Sequence, residues 1–141
     1  MKSITICDIP LPPTELSPNS RSHWRVKSKA TKSQREVSFM LGQVAVRQLD
    51  DWKSYQFPWS EAVASVVWYR QRNAAIDRDN ALAMLKSTFD GLTDAGLLTD
   101  DRGLVPLPIR FELDRLNPRV EVTLTQVIEG SCPMCGAVHT C

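Results

Sequence analysis

The architecture of the chain is indicated most clearly by residues 62–96, which read AVASVVWYRQRNAAIDRDNALAMLKSTFDGLTDAG. The first nine residues, Ala62–Arg70, are rich in valine and aromatic side chains and predict a buried strand. Apolar residues then recur at helical spacing, and Asp79 or a neighbour can cap the start of that helix. Gly96 can adopt the left-handed conformation that ends it. The segment therefore predicts a strand, an acidic connection and a helix over residues 80–95.

Weaker patterns on both sides extend this unit. Ser3–Ile9 predicts a first strand that stops at a cluster of prolines. Residues 33–49 show apolar side chains near helical spacing, with Ser33 as the expected N-cap. Residues 104–113 contain two prolines and predict an irregular or edge strand, whereas residues 119–127 alternate like a regular strand. The expected fold is mixed α/β, with the order βαβαββ and two helices on a small sheet.

Length and composition favour one globular domain. The 141 residues are 43% hydrophobic and 23% charged, which is close to the average for soluble proteins. No apolar run approaches the roughly 18 residues of a membrane span, and the first residues do not resemble a secretion signal. We therefore expect a cytoplasmic protein without membrane contact, with a domain over residues 1–128 and a separate tail over 129–141.

The small net charge of +1 conceals an uneven distribution of charge. Residues 1–70 carry ten Lys and Arg against six Asp and Glu, and residues 71–141 carry seven against ten. Six basic residues and no acid lie from Arg21 to Arg35, whereas six aspartates lie from Asp77 to Asp101. This pattern indicates one surface for a polyanion and another for a cation.

Asp77 and Asp79 are two residues apart, so in an extended chain both carboxylates project to the same side. Carboxylates gathered in a small space repel unless a cation lies between them, and oxygen ligands favour magnesium or manganese. Lys86 follows Asp79 by seven residues, close to two helical turns, and so shares its helix face. The alternative is that these acids are turn and capping residues and that Lys86 is a surface side chain.

The order of these residues resembles the signature of RusA-type Holliday junction resolvases. The resemblance comprises Asp77-Arg78-Asp79-Asn80, Lys86, Phe89-Asp90-Gly91-Leu92, Asp94-Ala95-Gly96 and Asp100-Asp101. Upstream, Leu16-Ser17-Pro18-Asn19, Arg21, His23-Trp24 and Lys27 look like the N-terminal motif of the phage-borne relatives, including those of prophages. Some relatives place the lysine four residues after the second aspartate rather than seven.

This resemblance implies a magnesium-dependent endodeoxyribonuclease that resolves four-way DNA junctions in recombination and repair. It implies that Asp77, Asp79 and Asp101 hold Mg²⁺, for which Mn²⁺ can substitute, and that Lys86 assists catalysis. Asp100 is the less certain partner. It also implies a homodimer, since a two-fold axis presents two identical sites to the two strands that are cut.

Basic residues before and after the first helix are the candidates for DNA binding. An acidic site repels DNA, so cations elsewhere on the protein must bind the DNA backbone. Trp24 lies among these cations and can stack on an unpaired base. The candidates are Arg21, Trp24, Arg25, Lys27, Lys29, Lys32, Arg70 and Arg72. Alternatively, the basic stretch is a solvated helix entry and Trp24 is a core residue.

The last ten residues carry a second candidate metal site. Cys132 and Cys135 have the spacing of a zinc knuckle, and His139 and Cys141 complete a Cys3His set that would be structural. The alternative is a reduced tail without metal.

For the whole chain, the alternatives to a junction resolvase are a noncatalytic DNA-binding protein with a structural zinc tail, and a broader nuclease for flaps and branched DNA.

Overall fold

The computed structural model describes residues 2–73 and 76–127. Within these residues five strands form one sheet: β1 (Ser3–Ile9), β2 (Ala62–Arg70), β3 (Leu104–Pro106), β4 (Arg110–Leu113) and β5 (Arg119–Gln126). The helices of the same ranges are α1 (Trp24–Arg47), α2 (Arg78–Met84) and α3 (Lys86–Asp94), with short 3-10 turns at Thr14–Leu16, Trp52–Tyr55 and Asp101–Gly103. The predicted mixed α/β class is confirmed.

The sheet has the strand order β1-β5-β2-β3, and β4 also pairs with β2. Strand β5 is antiparallel to both β1 and β2, whereas β3 and β4 run parallel to β2. Strands β3 and β4 thus form one edge that is interrupted at residues 107–109, as the two prolines of this segment predicted. Leu107 N nevertheless donates to Ala64 O at 2.9 Å, which holds the interruption against β2.

Helix α1 begins nine residues earlier than the predicted start at Ser33, which is therefore not its N-cap. His23 caps the helix instead, with Nδ1 accepting a hydrogen bond from Arg25 N at 3.1 Å. None of residues 24–33 is buried, and burial in α1 begins at Gln34. The apolar pattern identified only the part of the helix that packs on β1 and α3, because the preceding turns have no buried face.

The predicted helix over residues 80–95 is observed as α2 and α3, separated by a turn at Leu85. Helix α2 starts two residues earlier than predicted, because Asp77 rather than Asp79 supplies the N-cap. Gly96 has a φ of +90° and ends α3 in the left-handed conformation, as predicted.

The core lies between the sheet and the layer formed by α1 and α3. Helix α1 packs against both β1 and α3. Alternate residues of β5 (Val120, Val122 and Leu124) are buried, as are Leu85 and Leu92 from the helical layer. Within the described ranges, no helix combines the length and apolar character that crossing a membrane requires.

Candidate functional site

Asp77 lies after β2 and caps α2 with one of its two carboxylate oxygens. Its Oδ1 accepts hydrogen bonds from Asp79 N at 2.8 Å and Asn80 N at 3.2 Å. Such capping satisfies amide groups that a helix start otherwise leaves unpaired. In the described part of the chain nothing donates to Oδ2, so this oxygen remains available to a ligand.

Asp77 opens onto a cleft of about 460 Å³ between α2 and the 14–20 loop. The cleft is lined by Thr14, Ser17, Asn19, Ser20, Ile76, Asp77, Asn80 and Met84. It therefore joins the two sequence motifs that carried the resemblance, although Asn19 and Asp77 are far apart along the chain. The tertiary structure brings the two motifs together on one surface.

Asp79 lies on a different side of α2. It opens onto a cleft of about 360 Å³ that is bounded by Leu82 and by residues 106–109, where the edge strand is interrupted. Within residues 2–73 and 76–127 its carboxylate has no hydrogen-bond or ion-pair partner. The predicted convergence of Asp79 with Asp77 assumed an extended chain, whereas the chain is helical from Arg78 onward, where successive residues point in different directions.

Lys86 is the centre of an acidic cluster on the adjoining surface. Its Nζ lies 3.1 Å from Asp101 Oδ2 and 3.4 Å from Asp90 Oδ1. These three residues line a cleft of about 220 Å³, whose walls at Leu82 and Pro106 also bound the cleft beside Asp79. The Asp79 and Lys86 surfaces are therefore continuous along α2 and α3.

The charges of this cluster stabilise one another. The hydrogen bond with Asp101, followed by the charge of Asp90, raises the pKa of the Lys86 ammonium. A hydrogen bond with the Asp100 side chain, followed by that from Lys86, lowers the pKa of Asp101. Because the Lys86 side chain is 69% exposed, it is accessible to a large ligand.

Asp100 has a local structural role. Its Oδ1 accepts a hydrogen bond from Arg102 N at 3.0 Å and so caps the 3-10 turn at Asp101–Gly103. Its other oxygen lies 3.4 Å from Arg102 Nε. The capping role that the sequence left open for these acids thus applies to Asp77 and Asp100.

The three predicted magnesium ligands do not form one group in this arrangement. Asp77 and Asp79 lie at the start of α2, whereas Asp101 contacts Lys86, seven residues or roughly 10 Å further along the helical segment than Asp79. In the part of the chain that the structure describes, no three His, Cys, Asp or Glu side chains are grouped so that they could hold a metal ion. The three carboxylates therefore do not form one shared ligand set, whereas Mg²⁺ is commonly held by only one or two carboxylates together with water.

The predicted cationic surface is largely the first third of α1. Arg25, Lys29 and Lys32 are exposed, and within the described ranges none of them has an acidic partner. Trp24 is 67% exposed, so the alternative of a core residue is wrong; its ring contacts His23 and the guanidinium of Arg25. Residues 24–33 form a basic helical segment about 15 Å long, which we call the α1 arm.

The other predicted DNA-binding residues lie next to the α1 arm in sequence or at the end of β2. Arg21 and Lys27 lie before and within the α1 arm. Arg70 ends β2 and donates to Asn73 Oδ1 at 3.2 Å, and its guanidinium lies 5.8 Å from the Phe111 ring centroid. Arg72 follows in the turn after β2 and is exposed.

Comparison with known proteins assigns the chain to a family. No protein-family model matches the sequence. A protein of Xylella fastidiosa described as an uncharacterized protein is 32% identical over 130 residues, which are 92% of this chain and 79% of that protein. The chain belongs to the family of this Xylella protein.

The tail predicted to bind zinc, with its ligands Cys132, Cys135, His139 and Cys141, lies outside the described residues.

Two contributors to the site were missed from the sequence. Asp90 was part of the quoted motif but was not assigned a role, although its position four residues after Lys86 is the spacing of a helical ion pair. The 14–20 loop includes Ser17 and Asn19 of the quoted N-terminal motif, but these residues were not assigned a place at the site, because only the fold brings them to Asp77.

Proposed function

We propose that this protein is an endodeoxyribonuclease that cleaves branched DNA, with four-way junctions as its principal substrate. The observation that carries the proposal is the continuous surface along α2 and α3 on which Asp79, Lys86 and Asp101 lie, with Asp77 at the start of α2. Carboxylates beside an exposed ammonium suit the hydrolysis of a phosphodiester, because the ammonium stabilises negative charge that develops on the phosphate.

The α1 arm begins near the Asp77 cleft. Ser20 lines the Asp77 cleft, and Trp24 follows four residues later, so their Cα atoms are at most about 14 Å apart. The 3-10 turn at Thr14–Leu16 contacts both α1 and α2. DNA held by the cations at the start of the α1 arm would therefore pass close to Asp77.

The magnesium requirement belongs to the proposal through the resemblance to RusA-type resolvases and through the preference of Mg²⁺ for carboxylate oxygens. The homodimer is proposed on the same resemblance, together with the two-fold symmetry of junction cleavage.

The test is cleavage of a synthetic four-way junction, with linear duplex and flap DNA as comparison substrates. We expect wild-type protein to cut the junction in the presence of Mg²⁺ or Mn²⁺ and to be inactive in EDTA. Asp79→Asn is expected to abolish cutting while leaving junction binding intact, because it alters an unpaired carboxylate and removes no cation. Asp50→Asn, which changes an exposed acid after α1, is the matched control and should retain activity.

Binding by the wild-type protein without strand scission in either metal would favour the noncatalytic DNA-binding alternative. Equal cutting of flaps and junctions would favour the broader nuclease. Undiminished cutting by Asp79→Asn would remove Asp79 from the site.

A structural zinc ion in the tail is a separate proposal that rests on the sequence alone. Three cysteines and one histidine match the ligand set of closed zinc sites. We expect about one zinc per chain in the purified protein and a lower Tm for Cys135→Ser. A protein without zinc, together with an unchanged Tm in this variant, would contradict the proposal.

A further inference from the structure

The connection between β4 and β5, residues 114–118, crosses over the carboxyl end of β2. Strands β4 and β5 pair with opposite sides of β2, so the chain must pass over the end of that strand to join them. Asp114 N donates to Arg70 O at 2.9 Å at the start of the crossing. We call this segment the crossing loop.

The crossing loop is held in shape by Arg119 and Asp114. Arg119 Nη1 donates to Asp114 Oδ2 at 2.8 Å and to Asn117 O at 3.0 Å, and Asn117 N donates to Asp114 Oδ1 at 3.1 Å. The Arg119 guanidinium also lies over the Tyr69 ring, 3.9 Å from its centroid. A loop that is already ordered loses less conformational freedom when it binds a ligand.

The tip of the crossing loop presents one cation and one apolar side chain to solvent. Leu116 is 98% exposed, and Arg115 beside it is also exposed. Arg115 faces Arg72 across a cleft of about 480 Å³ that is completed by Gln71 and Asn73. In the ranges that the structure describes, neither arginine has an ion-pair partner, because the nearby Asp114 is engaged by Arg119.

Among the residues that the structure describes, this cleft is lined by two guanidinium groups without an ion-pair partner and by no acidic residue, so it is complementary to an anion. Guanidinium groups bind phosphate oxygens in a planar, two-pronged geometry, and side-chain amides can donate further hydrogen bonds. We propose that this cleft binds a phosphate of the DNA backbone and that Leu116 packs against bases exposed at a branch point. This inference rests on the proposed action on branched DNA and extends it to a contact surface distinct from the α1 arm.

Distance is compatible with one DNA molecule that reaches both this cleft and the acidic residues. Arg72 precedes Asp77 by five residues, so their Cα atoms are at most about 18 Å apart. At about 3.4 Å of axial rise per base pair, this span corresponds to roughly five base pairs. Apolar side chains such as leucine are known to insert between base steps and unstack them, which is easiest where pairing is already interrupted.

The experiment measures equilibrium binding of fluorescent four-way junction and linear duplex in EDTA, so that cleavage does not interfere. The variants are Arg115→Gln, the double variant Arg72→Gln/Arg115→Gln, and Leu116→Ser. Arg110→Gln is the control, because this neighbouring arginine is ion-paired with Glu112 at 2.8 Å. All of these side chains are exposed, and unchanged Tm values verify that the variants are folded.

We expect Arg115→Gln to weaken binding to both DNA forms about tenfold and to reduce the slope of log K against log salt by about 0.9. The double variant should lose about twice that slope. Leu116→Ser should weaken junction binding several-fold and leave duplex binding unchanged. With 2-aminopurine at the branch point, wild-type protein should increase the fluorescence by unstacking the base, and Leu116→Ser should not.

Wild-type affinity and salt dependence in both arginine variants would overturn the phosphate site, and an unchanged fluorescence response in Leu116→Ser would overturn the apolar contact. Either result leaves metal-dependent cleavage by the wild-type protein intact, so the proposed function would survive. Conversely, the variants of the crossing loop could weaken DNA binding as expected while the wild-type protein cleaves no DNA. That result would overturn the proposed nuclease activity and support the DNA-binding role of the crossing loop.

Discussion

Gly91 allows α3 to lie directly against α1. A Cβ atom at this position would clash with Arg35 O and would lie 2.7 Å from Ser38 Cβ. Because a backbone carbonyl of a helix cannot easily move away, Gly91→Ala must separate the two helices. We expect a loss of about 1–3 kcal/mol of unfolding free energy, seen as a fall of several degrees in Tm.

The control for this prediction is Ser28→Ala, an exposed position of the α1 arm, which should leave Tm unchanged within about a degree. A Gly91→Ala protein as stable as the wild type would show that the helices can separate without cost. The sequence motif that includes Gly91 suggested function, but this glycine serves packing in the structure.

Asp94 links α3 to α1 through a two-pronged contact with the Arg35 guanidinium. The hydrogen bond from Arg35 lowers the pKa of Asp94 below its usual value of 3.8. A lowered pKa in the folded state stabilises the fold above the unfolded pKa, and this contribution is lost as the pH falls through the folded value. We therefore expect Asp94→Asn to lower Tm at pH 7 and the difference from wild type to shrink below about pH 4.

Calorimetric Tm values at pH 7, 5 and 3 measure this difference. Asp50→Asn, which changes an exposed acid, is the control and should have the Tm of the wild type at each pH. A difference that stays constant down to pH 3 would mean that the Asp94 charge does not contribute. The residues are 59 positions apart, so no local pattern in the sequence predicted this pair.

Among the helices and strands, the α1 arm makes the clearest prediction about DNA binding. The triple variant Arg25→Gln/Lys29→Gln/Lys32→Gln removes three exposed cations without touching a buried residue. If each contacts a phosphate, the salt dependence of junction binding should fall by about 2.7 in log–log slope. Fluorescence anisotropy between 50 and 200 mM salt measures this slope, and Tm should not change.

Lys53→Gln is the single-charge control, because Lys53 lies near Trp52 on a different element. An unchanged slope in the triple variant would move the DNA-binding surface away from the α1 arm. The arm itself was only partly predictable, since the apolar periodicity that reveals a helix exists only where the helix packs on the body.

For the whole molecule, the proposed homodimer predicts a solution mass of about 32 kDa, twice the 15.9 kDa of one chain. Light scattering coupled to size-exclusion chromatography measures it, and dilution should lower the mass toward that of one chain. A constant 15.9 kDa at high concentration and in complex with a junction would contradict the two-fold arrangement.

Local patterns in the sequence were sufficient for much of the architecture. The bounds of β1 and β2, the proline-interrupted edge formed by β3 and β4, and the stop at Gly96 all follow from side-chain alternation and from the backbone preferences of proline and glycine. These signals depend only on neighbouring residues, which is why they could be predicted without knowing the fold.

The arrangement of the candidate site depended on long-range packing. The helix that begins at Arg78 separates Asp77 from Asp79, and the return of the chain before β3 brings Asp101 to Lys86 rather than to Asp77. The crossing of residues 114–118 over β2 brings Arg115 to Arg72. Spacing along the chain showed which charged groups were present, but only the packing of sheet and helices determined their neighbours, because these contacts join segments that are distant in sequence.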